Sequence, residues 1–123
     1  MHFKLIVFIF LLVQSLHAKP IIYFILSNDC PICHNLMNDI STNDNLKSLL
    51  SSEYQVKIID TIRNDVPNFL PFEGTVPTIF ITNNDKFIGD SLQGYIASDE
   101  LMKYLISVKN YLNKNDKRMY YVF

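Results

Sequence analysis

The sequence has no tryptophan, only two cysteines and no surplus of positive charge: 11 Lys and Arg stand against 12 Asp and Glu, for a formal net charge of -1. Without a basic excess the chain has no electrostatic footprint for nucleic acid, which is therefore not an expected partner. The composition is not that of a disordered chain either, since 49% of the residues are hydrophobic. No internal repeat or low-complexity segment is present. With two cysteines there is no second Cys-x-x-Cys, so a zinc site would lack strong ligands beyond Cys30, Cys33 and His34, and no metal is expected. At 123 residues the chain has room for one domain with a single core.

The N-terminus differs from the rest in kind. Lys4 supplies one positive charge, Leu5 to Val13 is an unbroken apolar run, and Leu16-His17-Ala18 offers a small residue at a cleavage point. This is the anatomy of a secretory signal peptide, expected to span residues 1–18. The run falls short of the roughly 20 apolar residues of a comfortable bilayer span. An uncleaved anchor is the alternative, and a first core strand is a weaker one. Export is the expectation, to a bacterial periplasm, with a membrane-anchored form or a eukaryotic secretory compartment as alternatives.

Both cysteines lie in Asp29-Cys30-Pro31-Ile32-Cys33-His34. Ahead of them runs Ile21 to Leu26, apolar on both faces as in a central strand. Behind them Leu36 and Ile40 fall at helical spacing. A sulfur where a buried strand gives way to a helix meets free backbone N–H groups and the positive end of the helix dipole, a setting that suits a thiolate. A structural staple is a poor use of this spacing, because closing so short a loop restricts the unfolded chain very little. The string Cys30 to His34 is also formally the attachment motif of a c-type haem, with His34 as axial ligand and Met102 or Met119 as a distant sixth ligand. That reading stays open here, as does a non-catalytic binding module.

Asn28 or Asp29 is expected to cap the helix, and Pro31 fits its first turn. The helix is expected to run to about Leu50, kinked or broken at Ser41 to Asp44, with Leu36, Ile40, Leu46, Leu49 and Leu50 buried. Tyr54 to Asp60 reads as a second strand, parallel to the first because a helix connects them. Thr61 to Leu70 is expected to hold one short helix. Thr75-Val76-Pro77 leads into a β-branched strand ending near Thr82, Asn83 to Asp85 turns a hairpin, and Lys86 to Gly89 returns. Ser98 then caps an amphipathic helix bearing Leu101, Leu105, Val108 and Leu112 on one face. Residues 115–123 form an unassigned tail, so the domain is expected over 19–114. The order β-α-β-(α)-β-β-α is that of a compact α/β sandwich.

That order, with Cys-Pro-Ile-Cys at the first strand-to-helix turn and Thr75-Val76-Pro77 opening the third strand, resembles the thioredoxin-like superfamily from Ile21 to Leu112. The resemblance implies an α/β three-layer sandwich on a mixed four-stranded sheet, and a thiol–disulfide oxidoreductase without a cofactor. By position, Cys30 would be the attacking thiol and Cys33 the resolving one, with Pro31 and Ile32 tuning the pair. Pro77 would be the family's cis-proline and, with Thr75 and Val76, would hold an extended substrate segment. The partners implied are protein thiols and disulfides together with a membrane or soluble redox donor or acceptor, met by a monomer. Two departures stand out. Phe24 occupies the position of the buried acid of thioredoxins and no tryptophan precedes Cys30, so Cys33 must exchange its proton by another route; and Asp90 follows Gly89 where glutaredoxins have a second glycine.

Overall fold

The computed structural model describes residues 19–121, with side chains to residue 114; the expected signal segment lies outside them. The chain forms β1 (Ile21–Leu26), α1 (Pro31–Thr42), α2 (Asp44–Glu53), β2 (Gln55–Asp60), β3 (Thr78–Asn83), β4 (Lys86–Phe87), β5 (Leu92–Gln93) and α3 (Ser98–Tyr121). The sheet is ordered β2-β1-β3-β4, with β5 also paired to β3. β1 and β2 run parallel with Ile21 opposite Gln55, whereas β1 and β3 run antiparallel with Ile25 opposite Thr78.

β1 is central, and its residues from Ile22 to Leu26 are all buried, as a strand apolar on both faces requires. Alternation sends Ile22, Phe24 and Leu26 to one face, where they join Leu36, Leu46 and Leu101 from the three helices. Tyr23 and Ile25 go to the other face, with Phe80 and Leu70. That second face is covered by the segment between β2 and β3, which is built of turns. The short helix expected in Thr61 to Leu70 does not form. Pro67 and Pro71 punctuate the segment, which is held instead by local bonds such as Leu70 N–H to Pro67 O at 3.0 Å.

The first helix breaks at Asn43. Its side chain caps α2 by accepting from Leu46 N–H at 3.1 Å, and its N–H closes α1 on Ile40 O. The β3–β4 hairpin turns on Asn84 and Asp85, at φ of 52° and 64°, the left-handed values that a tight two-residue turn demands. The returning strand is then interrupted, so the sheet has five strands rather than four. Gly89 sits in the gap at φ 69°, where an added Cβ would meet the Tyr104 hydroxyl at 2.6 Å. Leu92 and Gln93 resume pairing with Ile79 and Thr78. Lastly, α3 continues past the expected domain end, through residue 121.

Candidate active site

β1 ends at Leu26, and β3, antiparallel to it, begins at Thr78. The turn after β1 and the segment ahead of β3 therefore open at the same end of the sheet. The turn carries the cysteines. Two local bonds shape it: Cys30 N–H donates to Ser27 O at 3.1 Å, and the Ser27 hydroxyl donates to the Asp29 carboxylate. The helix cap is neither Asn28 nor Asp29, as expected from composition, but Cys30 itself. Its Sγ accepts from Cys33 N–H at 3.2 Å, and Pro31 occupies the first turn. Sulfur thus stands where helices normally place a Ser, Thr, Asp or Asn oxygen, at the positive end of the α1 dipole.

The two thiols are free but unequal. Cys30 is half-buried at the rim, packed on the edge of the helix-side core, while Cys33 is 2% exposed inside it. Burial, and after it the hydrogen bond with Cys30, pushes the Cys33 thiol up to about 11. Pro31 and Ile32 lie exposed between them, Ile32 at 51%.

On the facing segment Thr75 is exposed, Val76 half-buried and Pro77 buried. Val76 packs against the cores of both sheet faces. The Val76–Pro77 peptide bond is cis. Thr78 Oγ1 donates to Thr75 O at 2.5 Å, and Gly94 N–H donates to Pro77 O at 2.8 Å, so the segment is pinned from within and from the loop after β5. Tyr95, next in that loop and half exposed, donates its hydroxyl to Asp39 of α1, a bond that also raises the tyrosine above its ordinary range. The cysteine helix and the segment before β3 are therefore linked through one loop.

Sequence reasoning missed Asp60 and weighed His34 as a haem or metal ligand. Asp60, at the end of β2, accepts from Asn28 N–H at 3.2 Å, and His34 Nε2 donates to Asn28 O at 2.7 Å. These residues border a cleft of about 130 Å³ whose lining includes Cys33. An available signal was the placement of Asp60 at the carboxyl end of a strand parallel to β1, where α/β sheets gather their functional groups.

No protein-family model matches this sequence and no curated protein does; solved structures do. A chloroplastic thioredoxin z superposes with a TM-score of 0.59 at 17% identity, over 78% of this chain and 83% of that one. Thioredoxin-2 of the malaria parasite, a component of its protein secretion machinery, gives 0.61 at 15% identity over 72% and 82%. The periplasmic thioredoxin SoxS of Paracoccus pantotrophus gives 0.56 at 19% identity over 73% and 95%. At such identities the likeness is one of architecture, and the architecture is decided: this chain has the thioredoxin fold.

Proposed function

We propose that the chain is an exported thiol–disulfide oxidoreductase that acts on protein thiols and disulfides through Cys30 and Cys33. The observation that carries this reading is the asymmetry of the pair, one sulfur capping α1 at the surface and the other buried three residues on within its first turn. In the reducing direction the Cys30 thiolate attacks a substrate disulfide, forming a mixed disulfide and expelling one substrate thiolate. The Cys33 thiolate then attacks Cys30 Sγ and releases the second. The substrate gains two electrons and the protein ends as the Cys30–Cys33 disulfide; the oxidising direction is the reverse. Thr75, Val76 and Pro77 hold an extended substrate segment against the dithiol, with the Val76 backbone as its pairing edge. Pro31 and Ile32 set the balance between the two sulfurs.

Export is supported by the apolar leader and by the likeness to a periplasmic thioredoxin; no helix among the described residues is long and apolar enough to cross a membrane. We assign the chain to a periplasm, where a membrane or soluble donor or acceptor would recycle it as a monomer. The haem alternative is disfavoured by packing, because both sulfurs would have to reach a haem edge and His34 its iron, whereas Cys33 is enclosed by core side chains and His34 Nε2 is bonded to Asn28 O. Reduction of insulin and oxidation of reduced ribonuclease test the proposal. Wild type should catalyse one or both, Cys30→Ser neither, and Cys33→Ser should accumulate mixed disulfides with its substrates. Equal activity in wild type and Cys30→Ser would sink the catalytic reading.

A further inference from the structure

The turn that carries Cys30 is gripped at one residue, on the two peptides that flank it. Asn28 donates its N–H to Asp60 Oδ1 and accepts on its carbonyl from His34. Because a carbonyl only accepts, the imidazole carries a proton on Nε2. Asp60 is itself fixed: the same Oδ1 accepts from Ile62 N–H at 3.1 Å, and Arg63 faces Oδ2 at 3.9 Å. Asn28, His34 and Asp60 wall the cleft onto Cys33 together with Leu26, Met37 and Ile58. The turn's other hydrogen bonds are internal to it, at Ser27, Asp29 and Cys30, or tie it to the first turn of α1, by Cys33 N–H on Cys30 Sγ and His34 N–H on Cys30 O, so the Asp60 bond is what joins Asn28 across to β2.

We propose that Asp60 and His34 are positioning residues of the dithiol: by clamping the backbone on both sides of Asn28 they hold the Cys30 turn over the cleft, so that Cys33 stays closed to outside reagents while Cys30 stays open. This rests on the thiol–disulfide reading and deepens it. A resolving thiol that met small thiols and oxidants directly would react outside the productive sequence, and the clamp preserves the order of attack.

The test alkylates the reduced full chain with iodoacetamide and reads the separate rates at Cys30 and Cys33 by mass spectrometry, alongside thermal melting. In wild type Cys30 reacts far faster. Asp60→Ala and His34→Ala should each narrow the ratio about three- to tenfold, the effect of losing one hydrogen bond. Asp60→Asn keeps an acceptor and His34→Gln keeps a donor, so both should hold the wild-type ratio. Alanine variants that keep that ratio overturn the clamp, as do Asn and Gln variants as impaired as the alanine ones. His34 is exposed on its helix, so His34→Ala carries the test if Asp60→Ala does not fold. Insulin reduction by wild type separates the two claims: activity with an unchanged alanine ratio sinks the clamp alone, and no disulfide exchange by wild type sinks the catalytic reading beneath it.

Discussion

The two faces of the sheet are built differently. Among the described residues the helix-side cluster holds fourteen buried residues and the other face four, the latter covered by turns rather than a helix. The cysteines belong to the first face and the segment before β3 leads out of the second, with Val76 packed on both. The helix side supplies the rigid burial that makes the two thiols unequal. The turn-covered side supplies a backbone not committed to helix bonds, as the proposed pairing with an extended substrate requires.

The largest expected effect follows from the burial of Cys33. Because its folded-state value is raised to about 11, the fraction present as thiolate grows about tenfold per pH unit below that point. In a mixed disulfide the raising effect of the Cys30 thiol is gone but that of burial remains, so release of a mixed disulfide preformed on Cys30 should still accelerate from pH 7 upward in stopped-flow experiments. A release rate flat across pH 7 to 10 would mean that Cys33 is not the resolving group, or is not buried when it acts. The same raised value makes the protein lose stability as pH climbs from about 9 to 11, where the unfolded chain releases this proton more readily than the folded one.

Phe24→Ala, at a 1%-exposed position among the helices, should cost about 3–5 kcal/mol in urea unfolding. Leu70→Ala, 4% exposed beneath the turns, should cost about 2 kcal/mol, because an irregular cover can settle into the gap. Equal costs would erase the contrast between the faces. Smaller still is Tyr54→Phe. The Tyr54 hydroxyl, buried at the end of α2, donates to Leu105 O of α3 at 2.7 Å, and its loss should cost about 1 kcal/mol. A larger drop would show that the joint between α2 and α3 carries more of the helix face than packing alone implies.

Much of this arrangement could be read along the chain. Strand β1, the cysteine turn, the parallel β2, the Asn84–Asp85 hairpin and the amphipathic α3 each announce themselves by periodicity or turn chemistry within a dozen residues. The errors fall where a local signal had a competitor. Asn28 and Asp29 are good caps by type, yet the helix starts at Pro31, which puts Cys30 at the cap position; the Asp29 carboxylate accepts from Ser27 instead, and the backbone of Asn28 is held by Asp60 and His34. Thr61 to Leu70 has the length for a helical turn but is broken by Pro67, followed at once by Pro71, and held by local bonds. The fifth strand is two residues long and depends entirely on its pairing with β3.

The sequence by itself determined the order of elements and put two cysteines at a strand-to-helix turn, because those features depend on spacing and backbone preference over short range. Only the tertiary structure decided that Cys33 is buried while Cys30 is only partly so, that among the described residues one sheet face is covered by turns rather than helices, and that Asp60 and His34 meet on the backbone of Asn28. Burial and hydrogen-bond partnership are properties of surfaces brought together from distant segments, thirty-two residues apart for Asn28 and Asp60. No local pattern encodes which surfaces those will be.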